Sequence, residues 1–191
     1  MTNALLILHA LDDLLNAKVE LTLYGRAAFH LGFPEWHGQE FLQSRDVDAV
    51  LWLGQAEELN KKTNFWEAVE EVNRRLAERE LYISHFFTEN QVVLTSEWRR
   101  QRTPLEGEWH HLNLYRLGNI DLLLSKLMRN DPLDQNDALF LAHTANLSGE
   151  EIKRAIREAR VPLVPEIQEQ FAIASQIFLK KHADPESTNA P

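Results

Sequence analysis

The spacing of apolar residues along the chain changes at Gly118. Before Gly118, stretches with an apolar residue at every second position, as in strands, alternate with stretches whose apolar residues recur every three or four positions, as in helices. After it, only the helical spacing continues. The sequence therefore predicts an α/β (α+β) fold, with a small mixed sheet and flanking helices in residues 1–118 and a helical portion in residues 119–182 packed on that core. Residues 183–191, polar and proline-containing, are predicted to form a disordered tail.

The individual elements follow from the same spacing and from the capping and breaking residues around it. The predicted helices cover residues 3–16, 27–31, 64–80, 121–128, 132–144, 148–160 and 166–181. The predicted strands cover residues 18–24, 46–53, 81–87, 91–95 and 109–115. Residues 34–43 have no clear period and are predicted to be a loop.

The composition excludes several classes of function. The 191 residues contain no cysteine, which rules out disulfides, thiolate metal sites and cysteine nucleophiles and makes the cytoplasm the expected compartment. Apolar runs such as Ala4–Leu8 are far shorter than the roughly 20 residues of a membrane helix, so no membrane association is expected. The formal net charge of −9 argues against nonspecific binding to DNA or RNA through phosphates alone.

The acidic excess is unevenly distributed along the chain. The formal charge is −6 in the first 60 residues, +1 in the next 70 and −4 in the remainder. The middle third is therefore the best place to receive an anionic ligand, especially around Arg99, Arg100 and Arg102. The alternative is that these arginines belong to a solvated turn, because clustered charges usually lie at the surface.

The stretch from Ser44 to Asp48 carries two aspartates at the start of an apolar strand. In a strand, residues two apart point to the same face, roughly 6.5–7 Å apart, so Asp46 and Asp48 are expected side by side. Two like charges so placed repel each other unless a cation or a base neutralises them. Carboxylate oxygens suit Mg²⁺, which completes its coordination with water and phosphate oxygens. The alternative is an exposed strand end with two solvated aspartates.

A glycine turn precedes this pair. The strand ending at Tyr24 is followed by Gly25 and directly by a helix start. Glycine at such a turn lets the backbone approach a phosphate, and the first turn of a helix presents free amides toward it. A phosphate-binding turn combined with a metal-binding carboxylate pair is typical of phosphoryl or nucleotidyl transfer, in which positioning and charge neutralisation do most of the catalysis.

Together these motifs resemble the nucleotidyltransferase fold of the polymerase-beta-like superfamily. The turn Tyr24-Gly25-Arg26 and the strand start Ser44-Arg45-Asp46-Val47-Asp48 match its signature. The resemblance is strongest to small bacterial members, often linked to toxin–antitoxin and phage-defence systems. Those continue with a helix like the one from Asp121 to Arg129 and then two aspartates three apart, here Asp134 and Asp137, so the resemblance spans roughly residues 5–145.

The resemblance implies a fold, an activity and a site. The activity is transfer of a nucleotide from a nucleoside triphosphate to an acceptor hydroxyl on a protein side chain, an RNA end or a small molecule, in a toxin or defence component with an antitoxin or other protein partner. Asp46 and Asp48 are the implied catalytic residues and hold Mg²⁺ (or Mn²⁺). The implied nucleotide-binding residues are Gly25, Arg26, Ser44, Lys126 and Arg129. Lys126 and Arg129 share one helix face, and their alternative role is to tie the helical portion to the sheet together with Asp134 and Asp137.

Two departures from the family pattern support a second hypothesis. Arg26 stands where the family has a small residue, so its side chain either binds the phosphate or occupies its place. The family's third carboxylate has no clear match, although Glu89, Glu97 and Glu108 are candidates by position. The alternative function is a catalytically inactive nucleotidyltransferase-fold protein that acts as a binding or partner-interaction module.

The tryptophans offer flat rings on which a base could stack. Trp36 and Trp98 lie in predicted loops, where such a role is feasible. Packing in the core is the alternative and the more common use of such side chains.

Overall fold

The computed structural model describes residues 2–33 and 44–183, which divide into two compact units. The first unit contains the described residues up to Glu89 together with Arg102–Leu117. The second contains Asn90–Gln101 and the described residues from Gly118 onward. The predicted loop at 34–43 and the predicted tail, except for Ala183, lie outside the described residues.

The first unit contains a five-stranded mixed sheet, which confirms the coarse prediction of an α/β fold. The strands are β1 (Val19–Tyr24), β2 (Asp46–Leu51), β3 (Tyr82–Thr88), β4 (Thr103–Pro104) and β5 (Leu112–Arg116). Their order across the sheet is β3-β2-β1-β5-β4. β1 runs antiparallel to β2 and parallel to β5, while β3 runs parallel to β2 and β4 antiparallel to β5. Because β1 and β2 are neighbours in the sheet, the glycine turn that follows β1 lies next to the strand that carries Asp46 and Asp48.

Four α-helices of the described residues accompany the sheet in this unit. They are α1 (Asn3–Asp12), α2 (Gly25–Gly32), α3 (Leu53–Asn60) and α4 (Thr63–Leu76), the last continuing into a 3₁₀ turn at Ala77–Arg79. The apolar stripe of α4 is buried at Phe65, Ala68, Val69, Val72 and Leu76. The opposite side is charged, so this helix is held mainly by burial of one face.

The two faces of the sheet differ in chemistry. The apolar residues at alternate positions of β1 and β2 are buried, from Leu21 and Leu23 to Val47, Ala49 and Leu51. Leu23 lies opposite Ala49 in the antiparallel ladder, so these residues share one face. The other face therefore carries the intervening residues.

On that other face the register fixes which side chains are neighbours. Tyr24 on β1 lies opposite Asp48 on β2, and Thr22 lies opposite Val50. Asp46 is two residues from Asp48 and points the same way. Asp46 and Asp48 therefore lie on this second face, beside Tyr24. We call the face that carries Thr22, Tyr24, Asp46 and Asp48 the polar face.

The second unit is helical. Its helices are α5 (Asn119–Leu127), α6 (Pro132–Thr144), α7 (Gly149–Glu158) and α8 (Pro165–Ala183). All seven residues from Asp121 to Leu127 are buried, which makes α5 the centre of the unit. Residues 90–101 join this unit through an isolated bridge between Leu94 and Arg160 and through Asp121, which accepts a hydrogen bond from the Thr95 amide at 2.6 Å.

Several predicted elements differ from the observed ones. Residues 91–95 form no strand beyond the bridge at Leu94, because a short apolar run can be buried equally well without a ladder. The predicted strand at 109–115 begins only at Leu112. The preceding amides of His110 and His111 donate to the carboxylate of Asp12 instead, both at 2.7 Å.

Other differences are elements that were not predicted. Helix α3 and the two-residue strand β4 have too few periodic positions to be recognised in the sequence. Within the part of the chain that the structure describes, no helix combines the length and the apolar character required to cross a bilayer.

Candidate functional site

Asp46 and Asp48 converge on a single hydroxyl group. Ser84 Oγ, on the neighbouring strand β3, lies 3.3 Å from Asp46 Oδ2 and within hydrogen-bond distance of Asp48 Oδ1. Both carboxylates are only partly exposed. The pair is therefore held together at one point on the polar face of the sheet.

The glycine turn lies against this pair. Gly25, the first residue of α2, has φ = +66°, a left-handed conformation that glycine adopts without steric cost. A Cβ atom added at Gly25 would lie 3.4 Å from Asp48 Oδ2. The structure thus brings together the glycine and the aspartate, which lie 23 positions apart in the sequence. Arg26 follows as the second residue of α2 and is half-buried.

Ser44 fixes the position of Asp46. Its hydroxyl lies 2.8 Å from both the backbone oxygen and Oδ1 of Asp46. Its amide donates to His30 Nε2 at 3.4 Å, and Ser44 is buried. The Ser44 hydroxyl is therefore engaged with Asp46, so it orients the carboxylate rather than presenting itself as a separate ligand for phosphate.

The charge of the pair is not balanced by a basic side chain. Among the described residues, no lysine or arginine forms an ion pair with Asp46 or Asp48. His85, which can carry a positive charge, contacts the pair through Nδ1, 3.5 Å from Asp48 Oδ1. Burial raises the pKa of Asp48, and the charge of Asp46 acts in the same direction, although the hydrogen bond from Ser84 opposes them. A bound cation would relieve this electrostatic cost.

The donor set fits a magnesium ion that shares its coordination with a ligand. Mg²⁺ in phosphate-handling sites is commonly held by one or two carboxylates, and water and phosphate oxygens complete the octahedron. Asp46 and Asp48 supply two such carboxylates. Within residues 2–33 and 44–183, no group of three His, Cys, Asp or Glu side chains is placed to hold a metal ion. The remaining ligands would therefore have to come from outside those side chains.

Two of the three candidates for a third carboxylate contact groups other than the aspartate pair, and the third is exposed. Glu89 accepts a hydrogen bond from the amide of Leu53 at 3.2 Å, at the start of α3. Glu97 pairs with Arg100 in the second unit, and Glu108 is exposed. The position beside Asp48 on β3 is taken by Ser84 and His85.

Lys126 and Arg129 are neutralised within the second unit. Lys126 is buried, with Nζ 3.0 Å from Asp134 Oδ1 and 2.6 Å from Asp137 Oδ2. Arg129 donates through Nε to Asp134 Oδ2 at 2.9 Å. These four side chains pair with one another inside the second unit, whereas the expected alternative to triphosphate binding was a link from the helical portion to the sheet.

The arginines of the middle third are also paired, and Trp98 is packed. Arg102 Nη1 lies 2.7 Å from Glu20 Oε1 and 3.0 Å from Thr22 Oγ1, and Arg100 pairs with Glu97 at 3.0 Å. Trp98 is fully buried in the second unit, which favours the packing role over base stacking. Trp36 lies outside the described residues.

Sequence reasoning missed Ser84 and His85. Both lie in the predicted strand 81–87, but nothing local indicates that this strand pairs with β2. A polar Ser-His pair inside an otherwise apolar strand was the available signal, because such a strand rarely places two polar residues together without a partner for them.

Comparison of the chain with protein-family models, with curated proteins and with solved structures gives no match.

Proposed function

We propose that the protein is a magnesium-dependent nucleotidyltransferase, which moves a nucleotide from a nucleoside triphosphate to an acceptor hydroxyl. The observation that carries the proposal is the convergence of Asp46 and Asp48 on Ser84 directly beside the left-handed Gly25. A carboxylate pair without a basic partner can hold a divalent ion, and the turn beside it lets a backbone approach a phosphate. The two halves of such a site are therefore in contact.

Each residue has a definite part in this proposal. Asp46 and Asp48 hold Mg²⁺ (or Mn²⁺), which when bound neutralises charge on the transferring phosphate and orients it. The absence of a side chain at Gly25 keeps the space beside Asp48 open, and the first amides of α2 point toward an anion there. Arg26 contributes a positive charge at the same turn. Ser44 and Ser84 hold the two carboxylates in place through hydrogen bonds.

Calorimetry on the full chain tests the proposal. We expect a nucleoside triphosphate to bind only with Mg²⁺ present, and Asp46→Asn to weaken binding at least tenfold because one of two metal ligands loses its charge. Asp13→Asn is the matched control, since Asp13 is an exposed aspartate at the end of α1. Absence of triphosphate binding at any Mg²⁺ or Mn²⁺ concentration would refute the proposal.

A second pair of variants tests the glycine turn. Gly25→Ala places a methyl group 3.4 Å from Asp48 Oδ2 in a backbone conformation that alanine disfavours. We expect it to weaken triphosphate binding and to lower stability by about 1 kcal/mol. Gly149→Ala is the control, because a Cβ there meets no atom within 4 Å. Equal triphosphate affinity in the two variants would show that the glycine turn does not contribute to binding.

The second candidate function is a binding module that holds a nucleotide or a protein partner without catalysis. What supports it is the identity of the side chains beside Asp48 on β3, a serine and a histidine rather than a carboxylate. Incubation with radiolabelled triphosphates distinguishes the two candidates. Metal-dependent binding without label transfer to the protein itself, to RNA or to small hydroxyl compounds would favour the module.

A further inference from the structure

A β-bulge in β3 determines which side chains face the aspartate pair. Val47 on β2 lies opposite Ile83, but the next residue, Asp48, lies opposite His85, so Ser84 is an extra residue on β3. In a regular strand Ser84 and His85 would point to opposite faces. The bulge allows both to reach Asp48, Ser84 through its hydroxyl and His85 through Nδ1 at 3.5 Å.

The bulge also sets the faces of the two phenylalanines that follow. Phe86 lies opposite Ala49 and joins the apolar face, where its ring is 5.2 Å from Phe65 and 5.3 Å from Trp66. Phe87 lies opposite Val50, two residues beyond Asp48, and so shares the polar face with His85. The bulge thus places one aromatic ring in the core and another beside the candidate site.

The rings of His85, Phe87 and Tyr24 form a cluster on the polar face. His85 and Phe87 are stacked, with ring centroids 5.0 Å apart and planes 29° from parallel. Tyr24 meets Phe87 edge to face at 5.7 Å and 82°. Tyr24 directly precedes Gly25 and lies opposite Asp48. The side chain of His85 is 65% exposed, so its ring is accessible from solvent.

We propose that the stacked rings of His85 and Phe87, extended by Tyr24, bind the base of the nucleotide. This inference rests on the proposed function, because the phosphates would lie at the metal ligands and the glycine turn next to these rings. Aromatic side chains bind bases through their flat faces, and every base offers such a face. The surface therefore supplies affinity for all bases, with more contact for purines than for pyrimidines.

Comparison of a nucleotide with inorganic tripolyphosphate isolates the nucleoside, and comparison of ATP with CTP isolates the base. Calorimetry on the full chain with Mg²⁺ measures the binding of ATP, CTP and tripolyphosphate. We expect ATP to bind about tenfold more tightly than tripolyphosphate, the contribution of one stacked base, and CTP to lie between them. If tripolyphosphate binds as tightly as ATP, the stacking proposal is wrong while the phosphate site stands. If neither ATP nor tripolyphosphate binds, the proposed function itself fails.

Variants of His85 separate stacking from its contact with Asp48. His85→Ala removes the ring, so we expect it to abolish the preference for ATP while tripolyphosphate affinity stays within twofold. His85→Phe keeps a ring and loses Nδ1, and it should retain most of the preference. The control is His143→Ala, an exposed histidine on α6.

The same variants contain the results that overturn the proposal. If His85→Ala weakens ATP and tripolyphosphate equally, His85 acts through Asp48 and not by stacking. The same conclusion follows if His85→Phe loses the preference as fully as His85→Ala. Phe87→Leu, which keeps apolar volume without an aromatic face, provides an independent check, and an unchanged ATP preference in it would exclude Phe87 from the base site.

Discussion

Two aspartate pairs, one in each unit, have opposite environments. Asp134 and Asp137 on α6 are buried, and Lys126 lies within 3.0 Å of both. Asp46 and Asp48 on β2 are partly exposed and meet only serine hydroxyls and one imidazole among the described residues. The sequence spacing of each pair gives no hint of this difference, since both place two carboxylates on one face.

The presence or absence of a neutralising basic side chain indicates which pair stabilises the fold and which could bind a ligand. A buried charge is tolerated when an opposite charge neutralises it, and such a pair is then part of the fold. A carboxylate pair without that neutralisation costs free energy in the empty protein and can lower it by taking up a cation. We therefore infer that Asp134 and Asp137 stabilise the fold, and that Asp46 and Asp48 form the candidate site. Four variants test this contrast.

Lys126→Met should have the largest effect. It removes the ammonium group that Asp134 and Asp137 share in their buried positions, while Asp134 keeps the exposed Arg129 as a partner, and we expect a loss of about 3–5 kcal/mol in the free energy of unfolding. Urea denaturation at pH 7 measures it. Arg129→Met is the control, since the Arg129 side chain is 66% exposed and should cost less than about 1 kcal/mol. Similar losses in the two variants would contradict the central role of Lys126.

Asp12→Asn extends the contrast to a carboxylate neutralised by the backbone. Asp12 is buried and accepts the amides of His110, His111 and Leu112, each at 2.7 Å. The amide group of asparagine can replace only one of the two acceptor oxygens, so we expect a loss of about 2 kcal/mol at pH 7. Urea denaturation measures this loss as well. A loss below about 0.5 kcal/mol would show that these amides are satisfied in another way.

The pH dependence of that loss provides a second measurement. Burial favours the protonated form of Asp12, but the three amide hydrogen bonds outweigh it and lower the pKa below its ordinary value of 3.8. The folded protein then binds fewer protons than the unfolded chain, so this stability is present above pH 3.8 and is lost as pH falls through the folded pKa. The difference between wild type and Asp12→Asn should therefore shrink below pH 3.8.

Asp48→Asn should have the smallest effect, with the opposite sign. The pKa of Asp48 is raised, chiefly by burial, so the folded protein binds more protons than the unfolded chain above pH 3.8. Wild-type stability therefore falls as the pH rises from 3.8 to the raised pKa of Asp48 in the folded protein. We expect the variant to be up to about 1 kcal/mol more stable at pH 7 and to lose this advantage near pH 3.8. A clear destabilisation at pH 7 would show that the charge of Asp48 supports the fold.

Local patterns account for much of the fold and part of the site. Alternation in Val19–Tyr24 and Asp46–Leu51 identifies the two central strands, and the apolar stripe of Thr63–Leu76 identifies the longest helix of the first unit. The placement of Gly25 beside Asp48 follows once β1 and β2 are paired. The strands and the helix depend only on the period of a single element, whereas the closeness of Gly25 and Asp48 also requires the pairing of β1 with β2.

The other features of the fold and the site depend on which secondary-structure elements pack against each other. The one-residue shift at Ser84 exists only because β3 pairs with β2, and no property of residues 81–87 alone reveals it. The spacing of Lys126 and Arg129 shows that they share a helix face, but only packing decides whether that face meets phosphate or aspartate. A single sequence does not encode those neighbours in a local pattern.

The interleaved connectivity of the two units has a consequence for synthesis on the ribosome. When the chain up to Glu89 has emerged from the ribosome, β2 is available to pair with one edge of β1, while β5, which pairs with the other edge, has not yet emerged. The 27 residues from Asn90 to Arg116 take roughly 1–5 s to translate at typical rates. During that time one edge of β1, whose side chains Leu21 and Leu23 lie on the apolar face, has no strand to pair with. A nascent chain paused there therefore exposes an apolar strand edge of the kind that chaperones shield.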